Sequence, residues 1–495
     1  LIRAKEGERE DVSSDADAHV ALAQEIVEQS IVLLKNDGML PLSGQSLLVV
    51  GEFARSPRYQ STGSSHIVPS TLDSFCEALD DAGVHYRFEP GYRSDAVEPD
   101  AALIARACEA AKSADAVVLF AGLPDVCESE GFDRDTLEMP QSHNALIDAV
   151  CAANENVAVV LQGGSPMTMP WRERARAILL LYLAGGRNGH AAWNLVSGAV
   201  NPSGKLAETW PLGERDLPNL ECFSGEKRIV EYRESIFVGY RYFDTANVPV
   251  AYPFGYGLSY TTFAYSALAV EPGAVSLTVT NTGTVAGKET VQVYIKKTDS
   301  AVFRPDKELK AFRKVSLGPG ESKAVRIPLD TDAFSFYSTE HGGWVVEQGA
   351  YEVQVGASSR DIRLQTTVEK AGVSCRTVDY PCGNAGRPAF EALLGRSVPR
   401  EPEKRPFTLD SPLGTTKNTL LGSMILKFGV KSAKEAIGGG QAEAVEKMAK
   451  ASIYEMPVRN MGMNGGMTRE NLRGMVEIFN GNFFHGMKLL TKRKK

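Results

Sequence analysis

A chain of 495 residues is long enough for about three domains, which excludes a single small module. Hydrophobic residues at 43%, charged residues at 23%, 46 Gly and 25 Pro lie near globular averages and exclude a disordered, collagen-like or coiled-coil chain. Fifty-four Lys and Arg against 61 Asp and Glu give a net charge of −7, which speaks against binding nucleic acid by neutralising its backbone.

The basic residues cluster only at Lys488, Lys492, Arg493, Lys494 and Lys495, a run read as a solvated terminus. No stretch of about 18 apolar residues occurs, so neither a membrane nor nucleic acid is expected as a partner. The seven Cys are widely spaced and form no CxxC pair, which points away from zinc and from a disulfide scaffold and towards a reducing, cytoplasmic setting. No metal and no cofactor are expected. The chain starts at Leu1 and runs directly into charged sequence, so its start reads as processed, truncated or trimmed.

Over 18–215, short apolar runs alternate with helical patterns. SLLVV (46–50), the run 84–88, AVVLF (116–120), VAVVLQ (157–162) and AILLLY (177–182) read as buried strands. Segments 73–81, 100–113 and 142–154 carry apolar residues at the three-to-four spacing of helices. Apolar strands separated by helices predict an α/β domain with a mainly parallel sheet covered on both faces. Ligands of such sheets bind beyond the carboxyl ends of the strands, which directs attention to the loops after Val50 and Phe120.

A connector at 216–264 precedes a change of period. Val275, Leu277 and Val279 alternate with polar residues, as do Val291, Val293 and Ile295. Further strand-like runs at 324–329, 351–355 and 362–368 make about seven strands over 265–370, the pattern of a β-sandwich. Residues 371–495 form a Pro- and Gly-bearing connector followed by helical patterns at 416–428, 441–454 and 468–480, the last with a cap-like Thr468 and Asn471. Eight of the 12 Met fall in this extension, a stripe suited to adaptable packing.

Two loops carry residue types that suit chemistry. ESEGFDR (128–134) follows AVVLF, with two carboxylates two residues apart, a Gly that allows close backbone approach and an Asp-Arg pair able to hold the loop. RYQSTGSSH (58–66) follows LLVVG and offers hydroxyls, a Gly and a His to a polyhydroxylated ligand or a phosphate. It lacks the Lys of a phosphate-binding P-loop, and no glycine-rich loop opens a helix after the first strand, which removes a nucleotide-dependent enzyme from the readings. Taken alone, each loop also reads as a hydrogen-bonded surface turn.

The order of segments resembles glycoside hydrolase family 3, in its C-terminal part. The matching stretches are SIVLLKNDGMLPL (30–42), GSSH (63–66), ESEGFDR (128–134), GSPMTMPW (164–171), NPSGKLAETWPL (201–212), FVGYRYFD (237–244), PFGYGLSYTTFAY (253–265) and KELKAFRKV (307–315). The resemblance implies that 18–215 is the family's α/β sandwich domain and that 265–370 is fibronectin-III-like, followed by a helical C-terminal extension. It implies a retaining exo-glycosidase, β-glucosidase-like, with Glu130 as acid/base and Glu128 as a like-charged neighbour that raises its proton affinity. Ser64, Ser65 and His66 then belong to a loop reaching the sugar, with Phe132 stacking on the leaving group and Arg134 in the substrate site. Trp171 and Trp210 read as core or interdomain residues.

In the family the nucleophilic Asp lies on an N-terminal (β/α)8 barrel in an SDW-type motif, so the resemblance makes segment 1–17 a linker from a missing barrel. The two Ser-Asp pairs here, Ser14-Asp15 and Ser94-Asp95, are not followed by Trp. The expected partners are therefore a barrel-bearing polypeptide or segment and a glycoside substrate, with an oligomer left open. The reading from a different class is a non-catalytic carbohydrate-binding or scaffolding protein that retains a vestigial site.

Overall fold

The computed structural model describes residues 15–491 apart from 45, 64–65, 95, 224–228, 400–403, 438–441 and 464–466. Ser64 and Ser65, most of the linker 1–17 and most of the basic run after Lys488 lie outside the described residues.

The α/β domain runs α1 (Ala16–Ser30), β1 (Val32–Asn36), β2 (Leu47–Val50), α2 (Phe75–Asp81), β3 (Tyr86–Glu89), α3 (Ala101–Ala111), β4 (Ala116–Gly122), α4 (Gln141–Ala153), β5 (Val157–Gln162), β6 (Ala177–Tyr182) and α5 (Asn188–Val196). Its six strands are ordered β1-β6-β5-β4-β2-β3. All neighbours are parallel except β1, which pairs antiparallel with β6. The runs of β2, β4 and β5 are buried throughout because helices cover both faces. The sheet edges differ from the sequence reading. β1 ends in polar Lys35 and Asn36 and was not anticipated, and β3 has one neighbour and is only half-buried.

From β2 the chain moves outward to β3, then returns to the other side of β2 to lay down β4, β5 and β6. The winding therefore reverses between β2 and β4. A crevice opens at such a reversal beyond the carboxyl ends of the two strands.

A connector contributes β7 (Trp210–Pro211), α6 (Tyr240–Thr245) and β8 (Val250–Tyr252). Next come β9 (Phe263–Glu271), β10 (Ala274–Asn281), β11 (Gly287–Lys297), β12 (Glu308–Leu317), β13 (Ser322–Pro328), β14 (Ser335–Ser338), β15 (Gly343–Val346), β16 (Gly349–Gly356) and β17 (Ile362–Lys370). The sheets β13-β10-β9 and β12-β11-β16-β17 form the sandwich, and β14 and β15 add a hairpin. Val275, Leu277 and Val279 of one sheet meet Val291, Val293, Val353 and Val355 of the other. Asn201 ties this domain to the first, accepting from Ser259 Oγ and Tyr260 N, both at 2.8 Å, and donating to Ala286 O at 2.9 Å.

The extension holds α7 (Arg387–Leu394), α8 (Leu420–Ile437), α9 (Ala442–Tyr454), α10 (Arg469–Phe479) and α11 (Phe483–Leu490). The Thr468 and Asn471 side chains cap α10 reciprocally, since Asn471 N donates to Thr468 Oγ1 at 3.2 Å and Thr468 N to Asn471 Oδ1 at 2.9 Å. Phe407, Leu413, Leu426, Val458, Leu472, Met475 and Phe479 form a separate small core. Two short helices, α7 within the connector and α11 at the end, are too brief to announce themselves by periodicity.

Candidate active site

Both loops singled out in the sequence leave the sheet at its point of reversal. β4 ends at Gly122, whose φ is +145° and whose Cβ would lie 1.8 Å from Gln162 O, so no side chain fits there. Gly122 N donates to Nδ1 of buried His143 at 3.1 Å. Burial pushes the His143 imidazole down to about 3, which keeps it a neutral acceptor. Leu123 N then bonds Gln162 O at 2.8 Å, and Pro124 O accepts from Cys127 N and Glu128 N at 2.9 and 3.2 Å, starting the acidic loop with a tight turn.

Arg58 joins the two loops from below. Its Nε donates to Leu123 O at 2.9 Å, Nη1 to Gln60 O at 2.5 Å and Nη2 to Glu128 O at 2.7 Å, and Nη1 pairs with Asp125 Oδ1 at 2.5 Å. Burial pushes the Asp125 carboxyl up against the pull of Arg58. The sequence reading placed Arg58 at the head of a ligand-binding loop. Its pairing with Asp125 and Glu128 of the neighbouring loop is visible only once β2 and β4 are known to be adjacent.

Thr62 and Gly63 reach the acidic loop directly. The Thr62 and Ser129 hydroxyls hydrogen-bond, and Glu130 N donates to Thr62 O at 3.4 Å. Gly63, at φ +109°, lies so close to Glu130 that a Cβ there would meet Glu130 Cβ at 2.5 Å and Oε2 at 2.3 Å. Glu130 itself is exposed at the mouth of the crevice. His66 is also exposed, its N bonded to Gly63 O at 3.1 Å and its ring 6.4 Å from that of Tyr59.

The remaining acidic-loop residues separate by role. Glu128 accepts from Gly164 N at 2.7 Å and from Ser165 Oγ, and its Oε2 lies 3.8 Å from Arg58 Nη2. These bonds commit its carboxylate to the turn after β5. Arg134 turns to the same place, with Nη1 donating to Ser165 Oγ at 2.8 Å and Pro166 O at 2.6 Å, while its buried Nη2 has no hydrogen-bond partner among the described residues. Phe132 carries the Lys447 ammonium 4.3 Å from its ring centroid. Trp171 and Trp210 are fully buried. Cys76, Cys108, Cys127, Cys151, Cys375 and Cys382 are free thiols among the described residues. Among the described residues, no group of three or more His, Cys, Asp or Glu is arranged to hold a metal ion, and no helix is long and apolar enough to cross a membrane.

Glu208 was not anticipated. Burial pushes its carboxyl up to about 7, against the pull of Trp210 and Arg134 and with the charge of Glu128 adding to the rise. No local signal marks it, because Glu128 and Arg134 come from another loop. Folded Glu208 keeps a proton that the unfolded chain has lost, so its contribution to stability falls as pH rises from 4.5 to about 7 and is level above. Glu208→Gln is expected to remove that slope and to raise stability at pH 8 by about 2 kcal/mol. Urea midpoints of parent and variant at pH 5 and pH 8 check this, and an unchanged slope would contradict it. His143 contributes in the opposite sense, losing stability as pH falls from 6.5 towards about 3, so the comparison between parent and variant isolates Glu208.

Residues 31–260 match the glycosyl hydrolase family 3 C-terminal domain, and residues 289–359 match a fibronectin type III-like domain. The chain is 45% identical over 495 residues to thermostable beta-glucosidase B of Acetivibrio thermocellus, a match covering 97% of this chain and 62% of that one. It is 47% identical over 375 residues to an exo-alpha-(1->6)-L-arabinopyranosidase of Bifidobacterium breve, covering 72% of this chain and 50% of the relative. The structure resembles a glycoside hydrolase family 3 beta-glucosidase of Bifidobacterium adolescentis with a TM-score of 0.71 and 42% identity, covering 84% of this chain and 59% of the other. The chain thus spans between 50% and 62% of the length of these relatives.

Proposed function

Because the chain belongs to glycoside hydrolase family 3 and corresponds to the C-terminal part of that architecture, we propose that it supplies one half of a retaining exo-glycosidase site of the β-glucosidase type. Glu130 is its general acid and base. The observation that carries this reading is the seat of Glu130 against Gly63, at the crevice where β2 and β4 part. Of the two loop carboxylates, Glu128 holds the Gly164–Ser165 turn beside Arg58, and Glu130 is the more exposed.

A retaining mechanism places two carboxyl groups about 5 to 5.5 Å apart. One attacks the anomeric carbon while the other protonates the leaving oxygen, then as carboxylate activates the water that releases the sugar. The nucleophile belongs to a (β/α)8 barrel on another segment or chain, brought over the crevice so that its carboxylate faces Glu130 across the glycosidic bond. In this reading His66 serves the sugar and Phe132 the leaving group. The matched relatives include a glucosidase and an arabinopyranosidase, which suits a sugar pocket shaped mainly by the barrel.

Chain 1–495 alone is expected to leave aryl β-glucosides intact and to gain activity when the barrel is supplied. Native mass and subunit composition, measured beside an aryl glucoside assay, check this. Equal activity of the isolated chain would contradict the half-site reading, and an inactive assembly with barrel would favour a carbohydrate-binding or scaffolding role.

A further inference from the structure

Helix α9 of the C-terminal extension lies directly on the acidic loop. Lys447 Nζ pairs with Asp135 Oδ2 at 3.0 Å and sits 4.3 Å from the centre of the Phe132 ring, so one side chain grips the loop at two points. Next to it, Ser129 Oγ donates to Met448 Sδ at 3.2 Å. Since the Ser129 hydroxyl has one proton, its bond with Thr62 must run from Thr62 Oγ1 to Ser129 Oγ. A directed chain of hydrogen bonds therefore links Thr62, Ser129 and the helix. Gly131 completes the contact, because a Cβ at that position would stand 3.8 Å from Ser452 Oγ and 3.9 Å from Met448 Cγ.

These contacts bracket Glu130 on both sides in sequence: Ser129 before it, Gly131, Phe132 and Asp135 after it. The helix is itself anchored, with Glu446 paired to Lys434 of α8 at 2.8 Å and with Met448 and Ala449 buried. We propose that Lys447 and Met448 are positioning residues for the general acid, the extension serving as the backing that holds the 129–135 loop in its productive place. This rests on the reading of Glu130 as that acid. A loop released from α9 would let the carboxyl drift from the leaving oxygen, and drifts of about 1 Å can cost about 100-fold in rate. The Asp135 end of the ion pair is solvated, with 84% of its side chain exposed against 34% for Lys447, so its removal acts on loop placement more than on global folding.

The test uses the assembly with its barrel and a series of aryl β-glucosides whose leaving groups range from 2,4-dinitrophenol to phenol. Lys447→Ala is expected to lower kcat/KM for phenyl glucoside about tenfold and for the dinitrophenyl compound less than about twofold, because a good leaving group needs little protonation. Lys447→Arg, which keeps a cation over Phe132 and a donor for Asp135, is expected to restore most of the loss. Met448→Leu, which preserves volume and removes the sulfur acceptor, is expected to show the same leaving-group dependence at about threefold. A loss equal across the series, or none, in both variants would overturn the positioning role. Glu130→Ala in the same series separates the two claims. A steep dependence there with flat Lys447 and Met448 variants removes only the role of α9, whereas a flat Glu130→Ala series removes the acid assignment and this inference with it.

Discussion

In the assembly with its barrel, Glu130→Ala is expected to lower kcat/KM for phenyl glucoside or cellobiose by about 100- to 10,000-fold while leaving the value for 2,4-dinitrophenyl glucoside nearly unchanged. The reason lies in the division of labour between two carboxyl groups. Formation of the glycosyl intermediate from a dinitrophenyl substrate needs the nucleophile but little help from an acid. Release of the sugar still needs a base to activate water, so kcat for this substrate is expected to drop and KM to drop with it as the intermediate accumulates. Steady-state kinetics on the two substrate types checks the pattern. Equal losses on both would identify Glu130 as a structural residue, and no loss on either would remove it from the site. Glu128→Gln is expected to behave differently, since its carboxylate holds the Gly164–Ser165 turn and neighbours Arg58. Its effect belongs to loop stability and is expected to be similar for all leaving groups.

Gly63→Ala is expected to reproduce much of that behaviour without touching any carboxyl group. The added methyl would meet the Glu130 side chain at 2.3 to 2.5 Å, and the φ of +109° disfavours any residue with a Cβ. The acidic loop is the softer partner, because Glu130 is exposed, so it is the carboxyl that gives way. A displacement on the order of 1 Å predicts a loss of about 100-fold for poor leaving groups and little for activated ones. Backbone strain at the exposed loop is expected to cost only about 1 kcal/mol, so melting temperature shifts by a few degrees at most. Wild-type kinetics in a folded Gly63→Ala variant would show that the contact with Gly63 does not set the place of Glu130.

The parts of the fold that announced themselves in the sequence share one property: their side-chain pattern is imposed by burial. β2, β4 and β5 are covered on both faces and read as unbroken apolar runs, and β10 alternates because one face meets the sandwich core. Elements at edges carry no such imprint. β1 is half polar, β3 is partly exposed, and the hairpin of β14 and β15 lies outside the two sandwich sheets. The loops at the site were visible as residue types after strand ends, but their mutual arrangement was not. The approach of Gly63 to Glu130, the grip of Arg58 on both loops and the raised carboxyl of Glu208 all depend on which strands lie side by side, β2 beside β4 and β4 beside β5. The same holds for the extension. Its Met-rich character predicted packing against some surface, yet only the structure shows Met448 meeting Ser129 and Lys447 spanning Phe132 and Asp135.

Azide rescue of Glu130→Ala tests the central claim most directly. A small anionic nucleophile can attack the glycosyl intermediate without a general base, and it is accepted where the carboxylate has been removed. With 2,4-dinitrophenyl β-glucoside as substrate, the account predicts that azide raises turnover of the variant assembly, leaves the parent unaffected and yields the β-glycosyl azide with the configuration retained. A variant that azide does not accelerate, or a product of inverted configuration, would contradict the assignment of Glu130 as the acid and base of a retaining site.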